Sequence, residues 1–162
     1  MKDQKAMYAL SYGLFVLTAR EGDKDNGCII NTATQVTTTP NRLTIAVNKS
    51  NYTHDMVLRD GRFNLSILSE QAPFSLFQQF GFSSGRDTDK FAGFPDAVRG
   101  ENGLFYITQG VNAYLSCRTV STMDLGSHTL FLADVLDGDV LSGDPSATYA
   151  YYQAHIKPKP QA

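Results

Sequence analysis

The sequence predicts a mainly β fold, an antiparallel barrel with a few short helices on its outside. Three observations carry this reading. Six to seven segments of strand length are rich in β-branched and aromatic residues. Most links between them are too short for the crossover that a parallel pair needs. Several of these segments are apolar without strict alternation, which suits burial on both faces, one inside a barrel and one against a helix or a partner subunit. Closing the sheet on itself also removes its exposed edges.

Asp3 can cap a first short helix with Ala6, Met7, Ala9 and Leu10 as its apolar content, and Gly13 ends it. LFVLTA (14–19) reads as a strand, EGDKDNG (21–27) as a hairpin loop and CIINTAT (28–34) as the returning strand. VTTTPN (36–41) reads as a loop, because Pro40 belongs at an edge or a turn. LTIAVN (43–48) is the third strand. THDMVLRD (53–60) fits a helix stopped by Gly61. RFNLSIL (62–68) alternates, with Phe63, Leu65 and Ile67 facing one way and Asn64 and Ser66 the other, as in a half-buried strand. Pro73 opens a helix whose Phe74, Phe77 and Phe80 share a face. GFSSGRDTDK (81–90) is a loop. LFYITQ (104–109), VNAYLSCRTVST (111–122) and HTLFLADVLDGDVL (128–141) read as further strands. Asp144 and Pro145 look like an N-cap and first helical residue for a last helix carrying Tyr149, Tyr152 and Ile156. The organisation expected is one domain over 1–156 and a Lys/Pro-rich tail or linker remnant over 157–162.

Composition narrows the function. The chain has 162 residues, 42% of them hydrophobic and 19% charged, which is an ordinary globular balance for one domain. Its net charge of −2 offers no positive stripe for nucleic acid. The apolar runs are too short to span a membrane, and the N-terminal MKDQKAMYAL lacks the apolar core of a signal peptide. Cys28 and Cys117 are isolated, which argues against a zinc ribbon or a self-held iron–sulfur cluster and fits a cytoplasmic protein.

The strongest local feature is NKSNYT (48–53), between a strand and a helix. Unpaired amides at a helix start attract anions, Lys49 adds a charge, and Ser50 and Thr53 add hydroxyls, a set suited to phosphate. Plain helix capping by Ser50 or Asn51 fits the same residues. NTATQVTTTP (31–40) offers many small polar groups for the edge of a flat heterocycle, and equally a Thr-rich edge strand. Lys90, in DKF (89–91), can reach a phosphate or a ring edge or simply solvate a loop. His128 follows a turn at a strand start, where it can face a pocket or be structural. Tyr149, Tyr151 and Tyr152 read first as packing residues. There is no GxSxG elbow, P-loop or GxGxxG.

The ordered series GLFVLT (13–18), NTAT (31–34), NKSNYT (48–53), FNLSIL (63–68), DKF (89–91) and GSHTLF (126–131) resembles the flavin reductase-like family of FMN-binding split barrels. AYYQAHIKPK (150–159) is further similar to the flavin reductase domain of high-molecular-weight rubredoxins. The sequence departs from the family pattern at Asn41, Ser127 and Ala133-Asp134. The resemblance implies a six-stranded Greek-key split barrel, a homodimer and one FMN per subunit. It implies that Asn31, Thr32, Ala33 and Thr34 line the isoalloxazine edge and that Asn48, Lys49, Ser50 and Thr53 hold the phosphate. Lys90 would sit near the cofactor, His128 would stand at the nicotinamide or ring face, and Tyr151 or Tyr152 would close the pocket. The implied reaction moves electrons from NADH or NADPH through FMN to rubredoxin or another small redox protein, to free flavin or to oxygen species. An FMN electron carrier of the flavoredoxin type, reduced by a redox protein, is the alternative.

Overall fold

The computed structural model describes residues 1–160; the last two positions of the expected tail lie outside the described residues. A 3-10 turn over Gln4–Ala9 is capped by Asp3, whose side chain accepts from the Lys5 amide. Strands β1 (Phe15–Glu21) and β2 (Lys24–Ile30) form a tight hairpin, so most of the expected loop at 21–27 is strand. Strands β3 (Thr34–Thr38) and β4 (Asn41–Asn48) form a second hairpin. Helix α1 (Tyr52–Asp60) follows, ending at Gly61, whose φ of 84° is open to glycine at little cost. Then come β5 (Arg62–Leu68), helix α2 (Phe74–Gly81), the short pair β6 (Ala97–Arg99) and β7 (Phe105–Ile107), and the long pair β8 (Val111–Asp124) and β9 (His128–Val140). A last helical segment runs through α3 (Tyr149–Tyr151) into a wider π-type turn, Tyr152–Ile156.

Seven strands form one antiparallel sheet in the order β2-β1-β5-β8-β9-β4-β3, with β6-β7 as a separate pair. After β4 the chain crosses back over α1 to place β5 beside β1, the long return of a Greek key. The strands curl round one interior. Leu17 of β1, Cys28 and Ile30 of β2, Ile45 of β4, Phe63 of β5 and Phe131 of β9 share a single cluster. The seam between β2 and β4 is tied by Thr32, whose hydroxyl donates to the Ala46 carbonyl at 2.6 Å and accepts from the Ala46 amide at 3.2 Å. This is the expected split barrel, with seven sheet strands in place of six. The extra one is β3, most of which reads from the sequence as the loop before Pro40; all five of its side chains are exposed.

Burial on both faces is seen in β1. Leu17 points into the barrel, whereas Val16, with Leu14 just before the strand, joins an outer cluster with Phe77 and Phe80 of α2 and Tyr152. Strand β5 differs from the half-buried expectation. Its polar face is also covered, by β7 and the loop before it. Asn64 Nδ2 donates to the Leu104 carbonyl at 3.1 Å, and Ser66 Oγ accepts from the Ile107 amide at 2.9 Å. The last helix starts later than Asp144-Pro145 suggests. Ser146 bridges to Ser69 in extended form, and Thr148 is the cap, accepting from the Tyr151 amide at 3.0 Å. No helix among the described residues is long and apolar enough to cross a membrane.

Candidate functional site

A cavity of about 290 Å³ opens beside β2. Cys28 and Ile29 form one wall, Ser50 to Tyr52 at the start of α1 the second, and the end of α2 with the loop to Gly85 the third. Lys90 lies against it. Its side chain is 4% exposed, with Nζ donating to the carbonyls of Gly27 at 2.8 Å and Phe80 at 3.1 Å. An ammonium has three donors, so one remains for a ligand. Burial holds the Lys90 ammonium below the ordinary lysine range. Burial likewise pushes the Cys28 thiol up, against hydrogen bonding from Thr53.

Two further cations stand at the rim. Lys24 Nζ lies 4.6 Å and the Arg86 guanidinium 4.9 Å from the ring centre of Tyr52. Arg86 also approaches Asp55 at 3.6 Å. Asn51 caps α1 by accepting from the Thr53 amide at 3.0 Å, and the remaining amides of the first turn add partial positive charge. Buried ammonium, helix start, rim cations and the hydroxyls of Ser50, Ser83 and Ser84 together suit a phosphate monoester.

The structure brings some of the sequence-predicted residues together and separates others. Ser50 and Lys90, forty positions apart, meet at this cavity. Asn48 accepts from the Ser50 amide at 2.9 Å and its hydroxyl at 2.8 Å, and it pairs across strands with His128. The Lys49 amide donates to the Ser127 carbonyl at 3.0 Å, while its Nζ turns to Asp124 at 2.7 Å. That pair holds the Asp124 carboxyl below its usual range. His128 is half-buried, with Nδ1 2.8 Å from the Ser127 hydroxyl. Thr53 is fully buried, its hydroxyl accepting from Asn26 Nδ2 at 3.0 Å.

Asn31 lies past the end of β2 and lines a second cavity of about 620 Å³ with Tyr8, Tyr12, Thr148 and Tyr149. Thr32 ties the barrel seam, Ala33 packs against the interior, and Thr34 is exposed. Tyr151 is half-buried beside His155, with ring centres 4.7 Å apart. Tyr152 packs on Phe77 at 4.4 Å. Sequence reasoning passed over Lys24, Tyr52, Arg86 and the Ser83-Ser84 pair. The signal for Ser83, Ser84 and Arg86 was a serine-rich, glycine-containing loop, Tyr52 stood unweighed inside the NKSNYT motif, and Lys24 had no signal beyond its place in a charged hairpin. Among the described residues no group of three or more His, Cys, Asp or Glu side chains is placed to hold a metal ion.

Comparison with known proteins places the chain in a family and a fold. The chain is 41% identical over 150 residues to a high molecular weight rubredoxin of Moorella thermoacetica, covering 93% of this chain and 65% of that protein, so it spans about two thirds of that relative. It is 34% identical over 157 residues to a ferric-chelate reductase (NAD(P)H) of Archaeoglobus fulgidus, covering 97% of this chain and 92% of that one. In fold it is similar to the NADH:FAD oxidoreductase SgcE6 of Streptomyces globisporus, with a TM-score of 0.78 at 24% identity over 90% of this chain and 85% of that one. It is also similar to an FMN-binding protein of Thermus thermophilus, with a TM-score of 0.73 at 22% identity over 84% and 74% of the two chains. The family described as flavin reductase like domain matches residues 7–159, and the chain belongs to that family.

Proposed function

We propose that this chain is an FMN-dependent oxidoreductase working as a homodimer. It takes electrons from NADH or NADPH and delivers them to a small redox protein such as rubredoxin, to free flavin or to oxygen species. The cavity with Lys90 at its wall and α1 at its mouth carries the reading. Its donor set fits the phosphate of a mononucleotide. In this reading Ser50, Asn51 and Lys90 hold the phosphate, Arg86 and Lys24 add charge, and Asn48 and Lys49 border it. Thr53 supports the first turn from inside. Asn31 and the following residues to Thr34 meet the polar edge of the ring. His128 serves the nicotinamide side, and Tyr151 bounds the pocket.

A bound flavin supplies hydride and one-electron transfer, and the chain supplies place and charge. The positive set around the cavity favours the more negative, reduced form of such a ligand. Nicotinamide use is supported by the ferric-chelate reductase relative, and a rubredoxin-type acceptor by the rubredoxin relative. Dimerisation is supported by the outer half of β8. It pairs with β9 alone and exposes Val120 and Met123.

Titrating FMN and following flavin fluorescence tests the first step, and anaerobic addition of NADH or NADPH tests the second. Saturable binding followed by bleaching of the yellow flavin is expected. Binding without bleaching by either nucleotide supports the electron carrier. An absence of FMN binding overturns the proposal.

A further inference from the structure

Strand β2, itself one wall of the phosphate cavity, also holds the other two through the side chains of Lys24 and Asn26. Lys24 Nζ donates to the Gly85 carbonyl at 2.7 Å. Asn26, 1% exposed, donates through Nδ2 to the Thr53 hydroxyl in the first turn of α1. The other end of the same amide, Oδ1, is buried with no hydrogen-bond partner. Gly85 is itself buried, and its backbone rests on this amide. A Cβ at Gly85 would fall 2.2 Å from Asn26 Oδ1, 2.4 Å from Cγ and 2.5 Å from Nδ2. Asn26 is enclosed and held by Thr53, so it has little freedom to swing aside. Gly85 does not occupy the left-handed region, so steric room is the reason a side chain is refused there.

We propose that Asn26 and Gly85 are positioning residues that set the width of the phosphate cavity. Asn26 fixes the helix wall by a hydrogen bond and the loop wall by direct contact, and the missing side chain at Gly85 lets the loop close. The proposal deepens the FMN reading and rests on it for its ligand.

The test compares Gly85→Ala, Asn26→Ala and the double variant, titrating each with FMN and with riboflavin, which lacks the phosphate. Gly85→Ala is expected to weaken FMN binding by about tenfold and to leave riboflavin binding within about threefold of the original chain. The double variant should recover FMN binding to within about threefold of Asn26→Ala, because the added methyl then enters the space left by the amide. Losses that simply add in the double variant, or a silent Gly85→Ala, overturn the proposal. Hydrogen exchange of the amides at 82–88 in the ligand-free proteins separates the two readings. Gly85→Ala should speed exchange there and the double variant should slow it again. If the original chain binds no FMN, the functional reading falls, and this exchange pattern still decides whether Asn26 and Gly85 fix the loop.

Discussion

The Thr53 hydroxyl can be assigned by one substitution. The sequence places it among phosphate ligands, whereas the structure turns it inward to accept from Asn26 Nδ2 at 3.0 Å with Thr53 fully buried. Thr53→Val keeps the shape and removes the acceptor. Asn26, already without a partner at Oδ1, then loses its partner at Nδ2 as well. Leaving a buried donor unsatisfied costs about 1–3 kcal/mol. In a chain of this size each kcal/mol moves the melting midpoint by about 2–4 °C, so the ligand-free variant should melt about 2–12 °C lower. Thr53→Ser retains the hydroxyl and loses one methyl, which costs about 0.8 kcal/mol by burial alone. Thermal unfolding followed by circular dichroism, paired with an FMN titration, reads both effects. If Thr53→Val melts with the original protein while FMN affinity alone collapses, the hydroxyl faces the ligand and the inward assignment is wrong.

Two further outcomes follow from the packing and the charges. Phe80, 1% exposed and ringed by Phe91 and Phe94 at 5.3 Å, should lose about 3–5 kcal/mol on change to Ala, whereas Phe82→Ala, at 64% exposure, should stay within about 0.5 kcal/mol in urea unfolding. Equal losses at the two sites would contradict the placement of α2. Lys90 titrates lower when folded than when unfolded, so over that interval the unfolded chain binds more protons and stability rises with pH. The ligand-free protein should therefore gain stability relative to Lys90→Met as pH rises towards about 10, near the ordinary lysine value. A flat or opposite difference in melting midpoint would refute the buried ammonium.

Elements that bury a face were legible in the sequence. Strand β4 alternates cleanly through Leu43, Ile45 and Val47, and α1 announces itself through Asn51 before it and Gly61 after it. Strand β3 sends no side chain to the core, so hydropathy carried no trace of it. Asn64 and Ser66 read as solvent-facing because their partners are backbone groups of a segment some forty residues away, which a local pattern does not record. Asp144-Pro145 is a sound helix opening in isolation, but the bridge from Ser146 to Ser69 keeps that stretch extended. At the site, Ser50 and Lys90 stood out through their motifs. Lys24 and Arg86 are unremarkable polar residues until the fold sets both beside Tyr52.

The margin position of β2 sets how the pocket can fail. This strand has backbone pairing on one side only, with β1, and it is the common anchor for Lys24, Asn26 and the carbonyl that receives Lys90. Outer strands open at lower free energy than the middle of a sheet. Ligand capture is therefore vulnerable to fraying that leaves most of the barrel intact, and a warmed or mildly denatured sample would go blind to its ligand while still giving the spectrum of a folded protein.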